Sequence, residues 1–527
     1  MLDESATMIE YRRLRAPDED RESLVEPAFE DASDLVFENQ ASAAKQSPEI
    51  AGQSLANLSE LGRTELLDLA FRYTSSYRNT ALDQRNANTI IMSGHQPKLF
   101  HPGVWFKNFA LSNLGKRLGA TPVNLIVDND IAGVTSVSAP DLKGSTATIN
   151  HIPVDQPGAN IPFECRSIVD PYYFRQFSRR ATDAMLGMVV TPLVARLWPH
   201  ACSQLATDSN YGAVLAKGRH LLEQDAGLET LEVPLSQVAE TKAFSYLALE
   251  IFQRIQDFHT AYNTCLYDYR DIHRIRSNSH PVPALEKENG FYEAPFWVWH
   301  TQHPIRKPLF IKRDRNGHRL TDRSGWQVTI EIDNFAAQFC ELRDQGVAIR
   351  PRALVTTLFS RMILSDLFLH GIGGSKYDQL TDAIAQRFLN FEMPKYLTLT
   401  ATAILPCETE NVLPSDVTDL DTLDRDLRFH PENHVAGDAP QIAKWVARKH
   451  YWLNQALPPG KRKDRHQGIN QCNEQLQAFV HPSRQRLAQE REQLTSRLKI
   501  NQIARSREYS YSLFPENLIE DLKTLAQ

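Results

Sequence analysis

The sequence predicts an α/β protein, with a core built on a parallel sheet and an α-helical arm toward the C-terminal end. Three observations predict it. The runs NTIIMSG and TPVNLIVD are continuously apolar, as strands covered on both faces are, where a half-exposed strand would alternate. A strand, a helix and a second strand fit between residues 88 and 128, the compact form of a parallel unit. After residue 440 strand signals stop, and helix formers carry apolar residues at intervals of three, four and seven, Leu487, Leu494 and Leu498 among them.

Taken in order, the first 55 residues are acidic and weakly periodic, and SAAKQSPEIAGQS reads as a linker. A helix is expected over LSELGRTELLDLAFRYTSSY with Ser59 as its N-cap. The first buried strand leads into GHQPKLFHPG, then a helix over residues 104–119 that stops at Gly119, then the strand 121–128. Short strands follow around VTSVS and STATINHIPV, and helices dominate residues 170–275. Phe244, Leu247, Ala248, Ile251, Phe252, Ile255 and Phe258 form an apolar stripe at helical spacing, the mark of a core face. GFYEAPFWVWH, PLFIKRD and WQVTIEID are expected as strands returning to the sheet, and residues 353–370 as one apolar helix ending in GIGG. KYLTLTATAILP alternates, so a half-buried strand is expected. The resulting division is an extension over 1–84, an α/β core over 85–435 with a helical insertion near 170–280, and a helical arm over 436–527.

Composition narrows the class. No stretch holds 18 consecutive apolar residues, and the acidic opening does not read as a signal peptide, so a cytoplasmic protein without a membrane span is expected. Six scattered cysteines without CxxC spacing fit reduced thiols and argue against a zinc site. Residues 1–60 carry 14 acidic against 5 basic side chains, whereas residues 440–527 carry 15 basic against 8 acidic. A basic end can meet nucleic acid, but such runs more often line a solvated helix, and the cluster KRKDR at 461–465 reads as a loop.

Two segments carry candidate chemistry. Gly94, His95, Gln96, His101 and Lys107 follow a strand and open a helix, at the sheet edge where open α/β folds bind ligands and where a helix start offers N–H groups to an anion. The plainer alternative is a rigid loop shaped by Pro97 and Pro102, with both histidines bonded to backbone. The next strand ends in Asp128 and Asp130, which can hold a metal, bind hydroxyls, act as a base, or merely form a turn. In the second segment, Gly373, Gly374, Ser375 and Lys376 form a glycine run entering a helix. It is not a GxxxxGK[ST] loop, and no strand is expected before it, so a glycine cap between two helices is the competing reading. Arg350 and Arg352 can grip carboxylates or pair on the surface.

Together these segments resemble the bacillithiol-pathway cysteine-adding enzymes, the BshC family. That family's first motif, TGQQxGLFxGPLYTxYK, is matched by SGHQPKLFHPGVWFKN at Gly94, Gln96, Leu99, Phe100 and Lys107. Its EDHD-like run falls on Asp128 and Asp130, and its RPxxQD…GGPG stretch on Arg350, Pro351, Gly373 and Gly374. The resemblance runs from about residue 85 onward. It implies a Rossmann-like, nucleotidyltransferase-type core, a C-terminal coiled-coil arm, and a ligase that adds cysteine to an amino-sugar conjugate in low-molecular-weight thiol synthesis. It also implies ATP or ADP as ligand, small-molecule substrates, and a homodimer formed through the arm. A nucleotidyltransferase acting on another acceptor, and a nucleic-acid- or protein-binding module, are the alternatives. The departures lie at the site. His95 replaces a glutamine, the histidine of EDHD is missing, and Lys376 stands where the family carries an acid, which suggests a different or additional anion.

Overall fold

The computed structural model describes residues 9–80, 88–142, 147–315, 317–331, 334–435, 439–455 and 462–527. Two compact units emerge: residues 1–139, 151–405 and 507–527 form the first, and residues 140–150 and 406–506 the second.

In the first unit the chain runs β1 (Glu22–Glu26), α1 (Leu55–Ser75), β2 (Ile90–His95), α2 (Pro102–Leu118), β3 (Thr121–Ile126), α3 (Tyr211–Asp225), β4 (Leu231–Pro234), α4 (Lys242–Gln253) and α5 (Ile255–Ile272). Then come β5 (Phe291–His300), β6 (His303–Asp314), β7 (Gly317–Thr321), β8 (Gln327–Glu331), β9 (Val347–Pro351), α6 (Ala353–Phe359), β10 (Leu367–His370), α7 (Ile372–Leu389) and β11 (Tyr396–Thr402). The main sheet has six strands in the order β1-β11-β10-β2-β3-β4, parallel throughout except for β1. β2, β3, β4, β10 and β11 are buried almost entirely, which is why β2 and β3 read as apolar runs. α2 ends as expected at Gly119, whose left-handed backbone (φ 59°) a side chain would oppose.

Several expectations change. α1 begins five residues earlier than the expected cap implied, capped by Ser54, whose hydroxyl accepts the Asn57 N–H, and not by Ser59. Part of the acidic opening enters the main sheet as β1. The three apolar segments after residue 290 do not return to that sheet. With β9 they form a separate antiparallel sheet in the order β8-β7-β6-β5-β9. The expected helix 353–370 stops after α6, passes through a wider turn over Ser360–Leu364, and finishes as β10 in the middle of the main sheet. β11 is buried on both faces, because its threonines are covered too: Thr400 lies against Gly103 and Thr402 against Pro17.

Behind β3 and β4 lies a buried polar network. Arg219 on α3 pairs with Glu223 (2.8 Å) and with Glu232 of β4. Glu223 also accepts from Trp105 Nε1 (2.8 Å) and Asn108 Nδ2 (2.7 Å) of α2, and Glu232 accepts from Asn124 Nδ2 of β3 (2.6 Å). His220, Glu223 and Glu232 converge closely enough to suggest a metal, but the Arg219 guanidinium already supplies the cation between the two carboxylates.

The second unit contains α8 (Pro414–Phe429), α9 (Pro440–Asn454) and α10 (Arg462–Ala504). α10 packs on both others, and its buried positions Gly468, Cys472, Leu476 and Val480 recur every four residues, while Leu487, Leu494 and Leu498 are half-buried. Arg462–Arg465 belong to the start of α10 and not to a loop; Lys461 lies outside the described residues. Lys449 is buried against Glu432 at 2.5 Å.

Removing one partner of a buried pair strands the others. Arg219→Met should therefore lower unfolding free energy in urea by about 3–5 kcal/mol. Arg491→Ala, which loses an exposed pair with Asp421, should cost no more than about 1 kcal/mol in the same measurement.

Candidate functional site

The main sheet fixes where a ligand would bind. From β2 the chain steps outward to β3 and β4, then returns to the other side of β2 as β10 and moves outward again to β11. The order therefore reverses between β2 and β10, and parallel α/β sheets bind ligands beyond the carboxyl ends of strands at such a point. Gly94 and His95 end β2 there, and His370 ends β10 beside them. The two candidate segments, far apart in sequence, are thus brought together. A strand does precede the glycine run, so the reading of that run as a cap between helices is replaced by a strand-to-helix turn.

Two helices start at this point, each leaving its first N–H groups without an intrahelical acceptor. His101 caps α2: its Nδ1 accepts the Gly103 N–H at 3.1 Å, so its own proton sits on Nε2, which lies 3.9 Å from the Glu508 carboxylate. Gly371 caps α7 without a side chain, and a Cβ placed there would meet nothing within 4 Å. Gly103 is fixed by contact, since a Cβ there would lie 2.4 Å from the Ala401 carbonyl.

Lys107 occupies the space between. Its side chain reaches back toward the start of α2, is only 4% exposed, and donates one hydrogen bond to the Gly94 carbonyl at 2.8 Å. Among the described residues no carboxylate pairs with it, and burial lowers its pKa to about 8. Its charge bears on three histidines, each already pushed down by burial: His95, lowered to about 3, His101 and His370. His95 is therefore neutral at neutral pH, where Lys107 is charged. His95 stands edge-on to Phe100 at 5.1 Å, with Nδ1 3.2 Å from the Gln96 carbonyl.

The acids lie on the β3 side. Gln96 Nε2 donates to Asp130 at 3.1 Å, which ties the first loop to the end of β3, and Arg306 pairs with the same carboxylate at 3.0 Å. Burial would raise the Asp130 pKa, but the Ile131 N–H and Arg306 outweigh it and keep the acid ionised. Asp128 is different. Burial and the nearby Glu164 raise its pKa to about 7, against two hydrogen bonds from Ser236, N–H at 2.9 Å and hydroxyl at 2.5 Å.

The remaining predicted residues are engaged elsewhere. Arg350 is buried between Glu164 (2.9 Å) and Glu240 (3.0 Å), near Asp128. Arg352 stacks on Trp297 at 3.9 Å and pairs with Glu293 at 2.6 Å. Ser375 bonds to Thr398 at 2.6 Å, and the Lys376 charge bears on His273, not on the three histidines. Gly373 and Gly374 do form the first turn of α7. The sequence reading missed His370, hidden as the last residue of a presumed helix, and Arg507, which donates to Thr400 (2.9 Å) and Ala401 (3.1 Å) beside the α2 start. The histidine directly before GIGG was the available signal for the first; nothing local marks the second.

No protein-family model matches the chain, and no curated protein matches it.

An ammonium that is buried without a counter-ion responds to an anion. Lys107 has a folded pKa of about 8 against an ordinary 10.5, so between those values the unfolded chain holds more protons and stability rises with pH. A bound anion raises the pKa again. Phosphate or ATP binding at about pH 8.5 should therefore take up as much as about one proton per site. Calorimetry in buffers of different ionisation enthalpy measures this, and Lys107→Met should abolish the uptake.

Proposed function

We propose that the chain is an enzyme that joins a carboxylate to an amine, with a nucleotide or other phosphorylated group held at the switch point of a Rossmann-like, nucleotidyltransferase-type core. One observation carries this reading: Lys107 is a buried cation with no carboxylate partner among the described residues, set where α2 and α7 begin. Burying an unpaired charge is costly, and an anionic ligand removes the cost. Two helix starts, an open Gly371 and a lysine form the kind of cradle that takes phosphate.

In this reading Lys107 and the N–H groups of both helix starts bind the anion, and neutral His95 and His101 donate to it or polarise the activated carboxylate. Asp130, aligned by Gln96, receives the amine. By the resemblance drawn from the sequence, the carboxylate is that of cysteine and the amine that of an amino-sugar malate, with ATP or ADP as the nucleotide. The helical unit corresponds to the coiled-coil arm and serves dimerisation, and the protein works in the cytoplasm. None of the six cysteines forms a disulfide, and no described helix is long and apolar enough to cross a membrane. Nucleic-acid binding by the basic end is disfavoured, because Arg484, Arg491 and Arg497 each already pair with a carboxylate, on Asp424, Asp421 and Glu410.

The test follows consumption of cysteine and the amino-sugar malate by mass spectrometry, with and without ATP. His95→Ala and Asp130→Asn should each lower turnover by about 100-fold or more. Their unfolding midpoints should stay close to that of the unaltered chain. Absence of product with the unaltered chain would reject cysteine ligation. Product formed at full rate by both variants would reject these roles.

A further inference from the structure

His370 lies at the switch point, yet the roles assigned above do not use it. It is the last residue of β10, 5% exposed, with its ring packed between Phe368 (4.6 Å) and Tyr396 (4.9 Å). Its Nε2 lies 2.9 Å from Asp378 Oδ2. Asp378 is itself held: Thr357 Oγ1 donates to it at 2.7 Å, and Arg361, buried within the same cluster, approaches at 2.5 Å. Arg361 is fixed in turn by Asp382 (2.6 Å) and by the Pro394 carbonyl. The Asp378 charge lies close to Nε2 but off the line of its N–H, so Nε2 has no formed hydrogen bond; the charge still favours the proton on that nitrogen and leaves Nδ1 as the acceptor. Among the described residues Nδ1 has no hydrogen-bond partner. It points at the first turn of α7, where a Cβ on Gly374 would stand 2.9 Å from it.

We propose that His370, oriented by Asp378, is the proton acceptor of the reaction at this site. The inference rests on the carboxylate–amine joining proposed above. In that reaction a nucleoside triphosphate converts the carboxylate to an acyl phosphate and leaves as the diphosphate. The amine nitrogen then attacks the acyl carbon. As the new N–C bond forms, an N–H bond breaks and its proton passes to Nδ1 of His370. The C–O bond to phosphate breaks and its electron pair leaves with the phosphate, beside Lys107. The imidazolium so formed faces Asp378, which favours its charge, and also Arg361 and Lys107, which oppose it and so return the proton readily; Tyr396 packs against the ring and donates its own hydroxyl to the Ser375 carbonyl. A histidine oriented by a carboxylate, with its other nitrogen free, is suited to this task.

Gly374 gives a second variant that leaves the histidine itself in place. Its Cβ would stand 2.9 Å from Nδ1, closer than packed atoms come, so Gly374→Ala should cover Nδ1 and displace the buried ring, at a loss of a few degrees in melting temperature that the helix preference of alanine only partly offsets. Turnover of cysteine and the amino-sugar malate with ATP should fall by about 100-fold at unchanged KM in Gly374→Ala and in His370→Asn. The ascending limb of the kcat–pH profile should vanish in His370→Asn. Wild-type turnover in Gly374→Ala would overturn the proposal while leaving the ligase reading in place. No product from the unaltered chain would overturn both. A substrate-free arm checks the geometry: hydrogen–deuterium exchange at the His370 ring carbon, read by mass spectrometry on the full chain, should slow several-fold in Gly374→Ala. Equal exchange in the two chains would overturn the open Nδ1.

Discussion

The Arg219 guanidinium is the constraint from which the candidate site takes its geometry. It is enclosed with two carboxylates, which also accept from Trp105 and Asn108 on α2, both through Glu223 Oε1, and from Asn124 on β3, while Glu223 Oε2 has no partner among the described residues. Charge burial of this kind specifies orientation more than it adds stability, because each charge is costly once its partner is displaced. Trp105 and Asn108 flank Lys107 on the same helix. With those two donors fixed on Glu223, α2 cannot turn about its axis, and the lysine is aimed at the Gly94 carbonyl.

A second group of charges does the same for the other half. Arg361 joins the turn after α6 to Asp378 and Asp382 on α7, which sets the register of the glycine turn against β10. At the opposite end of the strand pair, Asp366 accepts the Ile90 N–H (2.8 Å) and a two-pronged bond from Arg63 (2.9 and 3.0 Å). β2 and β10 are therefore clamped at their entry by Asp366, and the helices that follow them are held by Glu223 and Asp378. The apolar core supplies cohesion, and these ionic joints decide which groups face one another.

Much of the first half of the site was legible in the sequence because its signals are local. An apolar run, a turn with two prolines and a helix ending at a glycine stand within a few dozen residues, and β2, α2 and β3 formed as expected. The second half was not, for a physical reason. Residues 353–370 contain neither glycine nor proline, so no local signal separates α6 from β10, and pairing with β2 decides the matter. Tertiary cover likewise defeated the alternation of β11, whose polar face is threonine packed beneath Gly103 and Arg507. The ion pairs of Arg350 and Arg352 bridge segments well separated in sequence, and nothing near either arginine announces its partner. The fold class could be read from periodicity; the company each polar side chain keeps could not.

The pairing of β2 with β10 also has a temporal side. Ser93 Oγ donates to the Leu369 carbonyl across 276 residues of chain. A ribosome making this protein releases Lys107 and His95 long before the strand that must lie beside them exists. Through most of translation the lysine remains in water, where its charge costs nothing. Closure of the central strand pair, a slow, long-range event, is the moment at which that solvation is exchanged for burial against the Gly94 carbonyl.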